Sequence, residues 1–452
     1  MRIRATLAPA IATASLLLLA TVSAHAADDA SLSDLLVEKG FITQEELDEA
    51  RQAAGDAESE PAVEAETKEE PGVDVSVSHK GLIVTSPDGD FKFGLGGRIQ
   101  LDAGGFTGGI TPQGDGFQLR RGRIKSFGTL YGDWDFKLEV NFDPDGRVFP
   151  TDAWLRYSGC DCMSITVGHQ KVPFSQQSMT SSNWQVFEER ALIDGMIDTG
   201  EEGRRRLGAV VASHGQNGVH WNVAAGVFGE GLTDPGKPDE DWGTSGRLVV
   251  APFAENRRLV AVGGSIYYRE FKSLSLLRYR SRPESSLGVR LVDTGIMTNA
   301  ADTLAYNAEA SFVLGRFHGQ GEYTRVKVAR HLASRLTFDG WYVQGGVFLT
   351  GENRVYDMKS AKYKRPKPKR KIGAWEIAAR YSTLDLQDLD ILGGREYNVT
   401  AGLNWWANQS VLIRFNYVRA TLDPTTNQLI FRDGAGLNQS LNAFMTRFQV
   451  VF

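Results

Sequence analysis

The chain has 452 residues, 42% of them hydrophobic and 23% charged, with a formal net charge of −5 and two cysteines. That balance excludes a disulfide scaffold and a nucleic-acid binder built on bulk positive charge. Beyond the first 26 residues there is no run of about 18 apolar residues, so no transmembrane helix is expected.

Arg2 and Arg4, the run SLLLLA at 15–20 and Ala24-His25-Ala26 form a secretory signal peptide, expected to be removed after Ala26. Leucines and alanines at helical spacing, broken at Gly40 and restarted by a Thr43/Glu46 capping box, predict a periplasmic helical hairpin within 27–56. Its narrow apolar stripe suggests a tether, with the cell wall as partner. Residues 57–86 read as an acidic linker. Residues 27–75 hold 16 acids and 3 bases and the signal adds two arginines, so the rest of the chain carries a net of about +6.

From residue 87 the pattern is β nearly throughout. Apolar and polar residues alternate with period two: Trp134, Phe136, Leu138, Val140 and Phe142 oppose Asp135, Lys137, Glu139 and Asn141. Charges opposite an oily face, strand after strand, suit lipid outside and water inside. Sixteen such segments are spaced along 87–452, beginning near Phe91, Phe117, Trp134, Thr151, Met163, Arg206, Val219, Asp241, Leu259, Thr303, Phe317, Gly340, Gly373, Arg395, Val411 and Leu441. The last, LNAFMTRFQVVF, ends on Phe452 and should pair with the first. The expected fold is all-β: a sixteen-stranded antiparallel transmembrane β-barrel in the outer membrane. Three connections are too long for simple turns: 173–205 after strand five, 272–302 after strand nine, and 352–371 after strand twelve.

Selectivity in a wide barrel comes from charges lining its narrow part. Arg98, Arg121, Arg123, Lys125, Arg156, Arg247, Arg380 and Arg414 fall opposite apolar faces. Arg120 has the opposite parity to Arg121. With Lys364, Lys367 and Lys369 in the basic 359–371 run, these are the candidate anion pathway. Guanidinium groups keep their charge and match oxyanions bidentately. Acids on the same faces leave a salt-bridge lattice as the competing reading. No G-x-S-x-G, H-E-x-x-H or P-loop is present, and no metal site or cofactor is expected, so the chain is not read as an enzyme. Cys160 and Cys162 sit in a predicted periplasmic turn where an oxidising envelope would permit a small disulfide.

The stretches PDGDFKFGLGGRIQLD (87–102), FQLRRGRIKSFGTLYGDWDFKLEVNFD (117–143), TSSNWQVFEERAL (180–192), GAWEIAARYSTLDL (373–386) and YNVTAGLNWW (397–406) resemble the phosphate-selective porin O/P family. The resemblance implies a homotrimer of sixteen-stranded channels for inorganic anions such as phosphate, set among outer-membrane lipids. It also implies that the three long connections fold into the lumen, with Thr180, Ser181, Ser182, Asn183, Trp184 and Arg190 on a constriction loop. Ser178, Met179 and Asn183 stand where phosphate-specific relatives carry lysine, so anion preference is the safer expectation. A general or weakly selective porin with a tethering N-terminus is the alternative.

Overall fold

Alternation of oily and polar residues dictates the architecture. A computed structural model describes residues 43–45, 72–109, 113–143, 146–197, 204–232, 241–255, 257–272, 276–423 and 439–452. Sixteen antiparallel strands close a barrel: Lys92–Gly108, Gly116–Leu130, Trp134–Phe142, Val148–Cys160, Met163–Lys171, Arg205–Asn217, Val219–Phe228, Trp242–Glu255, Arg258–Glu270, Ala300–Leu314, Phe317–Arg330, Ala333–Phe348, Ala374–Asp388, Ile391–Trp406, Val411–Leu422 and Gln439–Val451. We number them one to sixteen. The largest offset from the sequence reading is strand twelve, which starts at Ala333 rather than near Gly340. Its first residues place their oily side, Leu336 and Phe338, inward and Arg335 outward, the reverse of the pattern used to mark strands.

Strand sixteen pairs with strand one from Leu441↔Gly108 to Val451↔Arg98. Gly96 and Gly97 let the chain end seat there. A Cβ on Gly97 would lie 2.6 Å from the Arg123 carbonyl, and one on Gly96 2.6 Å from the Phe452 carbonyl. Below this point the same edge of strand one is taken by a β-hairpin, Asp74–Ser78 and Gly81–Thr85, with Leu82 opposite Leu95. The acidic linker expected to reach residue 86 therefore gives way to sheet by Asp74. Val75 and Val77 alternate with polar residues, Leu82, Ile83 and Val84 form an apolar run, and Gly81 takes the positive φ, 102°, that the turn needs. Apart from Thr43–Glu45, where Gln44 and Glu45 are helical, the expected helical hairpin lies outside the described residues.

At the end bearing Phe452 most strands are joined by short turns; the other end carries most of the long loops, which makes it the extracellular end. The oily face is outward as expected: Phe312, Phe317, Trp341, Val343, Phe444 and Phe448 are all exposed. Trp375 and Trp405 stack outside at 5.4 Å. Trp406, next to Trp405, faces inward and is buried against Trp184.

In the extracellular half of strands eleven to thirteen the pattern inverts. Val326, Val328, Leu336, Phe338, Leu384 and Leu386 point inward and are buried. They form the floor on which the two long extracellular loops pack, through Leu192, Ile193, Met196, Leu277, Tyr279 and Val292. The lumen wall expected to be wet is dry here, because loops fill it.

Candidate functional site

All three long connections enter the lumen. The loop after strand five begins with a helical turn, Gln176–Met179, passes through Ser182–Trp184, and ends in Leu192–Met196. Such a loop exposes its backbone carbonyls, and buried carbonyls need donors. Cationic side chains supply them. Lys171 Nζ donates to the carbonyls of Ser178 (2.5 Å), Met179 (3.2 Å) and Thr180 (3.3 Å). Arg190 donates to those of Gln177 (2.8 Å) and Thr180 (3.1 Å). Arg414 reaches Phe187 (3.1 Å) and Gln185 (2.6 Å), and Arg447 reaches Glu188. Arg98 donates to Ser182 Oγ at 3.0 Å and Asn183 Oδ1 at 2.8 Å. The backbone N–H groups of Gln176 and Gln177 donate to the Glu322 carboxylate. The loop thus crosses the barrel, from strand five to strands eleven, fifteen, sixteen and one.

The expected anion-pathway arginines are mostly neutralised. Arg98 and Arg123 meet Glu139 at 3.4 and 2.8 Å. Arg121 bonds Gln100 and lies 3.5 Å from Glu189. Arg247 grips Glu309 through two bonds of 2.9 and 2.5 Å, and Arg380 binds Glu284. Arg414 bonds Asn404 as well as the loop. Arg120 corrects the parity assigned from sequence. A bulge opposite Gln100 and Leu101 makes it an extra residue, and it faces the lumen, bound bidentately to Glu189 at 2.8 and 3.1 Å.

On the periplasmic side the bases are freer. Arg156 bonds only the Thr166 hydroxyl and lies over the Trp154 ring, and Lys125 lies over Phe127. Lys364 pairs with Asp357 at 2.9 Å, while Lys367 and Lys369 are exposed. The strand-twelve connection brings Lys362 inward on a two-stranded ribbon, Tyr356–Asp357 with Lys362–Tyr363. Burial, then the nearby Arg156 charge, lowers the Lys362 amine to about 8. Of the constriction residues, Ser181 caps the Ser182–Trp184 turn, and Trp184 lies between Trp406 and the Arg365 guanidinium.

The arginines that sequence reading missed are on the loop after strand nine. Arg280–Ser281 pairs with Val292–Asp293 as a short ribbon inside the mouth. This loop is tied to the wall by Glu284, which accepts from Arg380 and Thr400, and by Ser286, which donates to Asp102 at 2.5 Å. Above the constriction is a cavity of about 770 Å³ lined by Arg120, Glu189, Arg280, Arg282 and Arg290. Arg278 is paired with Asp293, but among the described residues Arg280, Arg282 and Arg290 make no ion pair. Burial, with Arg282 and Arg280 close by, lowers Arg290 to about 10. The signal was present: Arg278, Arg280 and Arg282 share one face of an extended segment at i, i+2 and i+4. At the strand-four turn Cys160 and Cys162 are free thiols with sulfurs 2.6 Å apart.

The family model described as phosphate-selective porin O and P matches residues 93–452. The chain belongs to that family. This porin is 30% identical over 423 residues to Porin O of Pseudomonas aeruginosa, covering 84% of this chain and 93% of that one. An uncharacterized protein of Caulobacter vibrioides is 29% identical over 350 residues, covering 73% and 68%. Among solved structures, the anion-selective porin from Comamonas acidovorans superposes with a TM-score of 0.51 at 13% identity, covering 80% of this chain and all of that one. OmpT of Vibrio cholerae in its trimer form superposes at 0.50 with 10% identity, covering 80% and 99%. The last two speak for the barrel fold. The porin is an outer-membrane channel.

Proposed function

We propose that the porin conducts anions by passive diffusion, phosphate and short polyphosphates among them. The observation that carries this is the set of three arginines, Arg280, Arg282 and Arg290, that make no ion pair among the described residues and line the extracellular mouth, although Glu189 and Asp194 line the same cavity. A field of one sign concentrates anions and repels cations. Anions then pass the constriction loop and meet a second basic region formed by Lys125, Arg156 and Lys362, and leave past Lys364, Lys367 and Lys369. Two weakly holding regions on either side of a narrow point suit conduction, since an ion must also leave. The paired wall arginines Arg98, Arg121, Arg123, Arg247, Arg380 and Arg414 hold the loops and tune the field. Similarity to Porin O and to an anion-selective porin supports this reading.

A weakly selective porin is the second reading. It is favoured by Ser178, Met179 and Asn183, which leave the stretch 176–185 without lysine. The porin is further read as a homotrimer, by analogy with the trimer form of OmpT. Its signal would be cleaved after Ala26, leaving an N-terminal segment, 27–56, that contacts the cell wall. Reversal potentials in planar bilayers under a chloride gradient test the function. Anion reversal that weakens with salt supports it, since screening sets in at about 10 Å in 0.1 M salt. Cation preference in dilute chloride sinks it.

A further inference from the structure

We propose that the outward face of strands ten to twelve, at its extracellular end, binds the phosphate groups of outer-leaflet lipopolysaccharide. The site is separate from the lumen and independent of which ions pass through it. On strand eleven Val326 and Val328 are buried inward, so Arg325 and Lys327 are turned out toward the membrane, Arg325 exposed and Lys327 half-buried. On strand twelve Leu336 and Phe338 face inward, and Arg335 is exposed outside. The register places Lys327 opposite Thr337 and Leu304, and Arg325 opposite Asp339 and Tyr306. Arg325 and Lys327 are two residues apart on one face, and Arg335, two residues before Thr337, is the diagonal neighbour of Lys327 at roughly 7–8 Å, so the three bases form one patch.

Its depth is fixed by what is below it. Tyr306, Tyr323, Trp341 and Tyr381 form an exposed aromatic group on the same face, with Trp341 and Tyr381 at 5.4 Å. Aromatic belts mark the level of lipid headgroups. The bases are therefore at or just above the headgroups of the outer leaflet, with long stems suited to reach phosphate. One acid, Asp339, faces Arg325 across the strands, while Lys327 faces Thr337 and Leu304. Other bases of this rim are paired: Arg330 grips Asp390 with two bonds of 2.7 Å, and Arg395 holds Asp385. Among the described residues Arg325, Lys327 and Arg335 make no ion pair; Lys327 only overlies Tyr306. The strand eleven–twelve connection is the tight turn His331–Leu332, which leaves the patch uncovered by its own connection. Cations near a charged membrane surface are drawn to anionic headgroups. Lipid A offers two phosphates above an acyl body that would lie on the apolar band.

The test uses the full-length chain in phosphatidylcholine nanodiscs. One arm contains bis-phosphorylated lipid A and a second contains lipid A stripped of phosphate. A third has no lipid A but receives inorganic phosphate. Native mass spectrometry counts retained ligand. The phosphorylated lipid should be held and the stripped lipid should not. Replacing Arg325→Gln, Lys327→Gln and Arg335→Gln together should weaken retention about a hundredfold, near fivefold per base. The variant's single-channel conductance should stay that of the wild type, which certifies the barrel. Should the triple variant fail to assemble, Lys327→Gln alone, with its fivefold loss, decides the matter. Unchanged retention in the variants overturns the proposal. So does equal retention of the stripped lipid, or inorganic phosphate held as well as the lipid.

Discussion

Arginines on the strands and arginines on the strand-nine loop line the same lumen in opposite states. Arg447 is fully buried between Asp102 and Glu189, at 2.6 and 2.7 Å. Arg280 and Arg282 have no such partners. A strand arginine faces neighbouring strands whose inward positions already carry acids, and the loop carbonyls complete its bonds. A loop arginine projects into open water. Charge on the wall therefore positions the constriction, and in the reading proposed above charge on the loop makes the field. An arginine in a pore acts on ions to the extent that the protein has not answered it first.

Four experiments would sharpen or break this contrast. The largest effect should come from Arg447→Met. It leaves buried Asp102 without its cation, a loss expected to be about 3–5 kcal/mol. Thermal unfolding of the barrel should shift down, and the constriction loop should loosen, seen as larger and noisier current. Arg280→Met, by contrast, should change stability by less than about 0.5 kcal/mol. Next in size, replacing Arg280, Arg282 and Arg290 by Gln should bring the anion-to-cation permeability ratio close to unity at unchanged stability. An unaltered reversal potential would mean that the wall, not the loop, sets the field.

The third effect is pH dependence. Lys362 is lowered to about 8 chiefly by burial, so it is charged at pH 7 and neutral at pH 9. Glu188, whose carboxylate oxygens meet no donor, is raised to about 8, again mainly by burial, so it is neutral at pH 7 and charged at pH 9. Both changes make the lumen more negative as pH rises. Anion preference should fall between pH 7 and 9, with Lys362→Met removing part of the change. The smallest effect is expected from deleting residues 27–71, which should leave conductance as it was. Extending the deletion through Thr85 should lower barrel yield, because it bares the lower edge of strand one.

Strand number and closure were legible because period two is a local property, and loop length marked the three long connections; that they turn inward was implied by the family resemblance. Which lumen charges remain free was not, since Glu189 meets Arg120 and Arg121 across nearly seventy residues of sequence. Arg120 was misjudged because one extra residue in a bulge reverses parity without leaving a sequence mark. The hairpin 74–85 was hidden by the acidic composition before it. The inverted polarity of strands eleven and twelve was visible as Arg325, Val326, Lys327, Val328, but alternation does not say which set faces lipid.

The seam between the first and last strands has a consequence for assembly. Arg447 meets Asp102 and Gln100 meets Gln449 at 2.6 Å, across 345 and 349 residues of chain. A strand that slips by one residue turns every side chain to the other face. At this seam such a slip would push the Arg447 guanidinium into hydrocarbon, leave Asp102 without its cation and bring Phe448 into the lumen. The final joining step is thus proofread by charge: a chain that reaches its own first strand out of step finds no partner for Arg447 and must let go. The polar contacts that narrow the finished pore also decide when the barrel counts as closed.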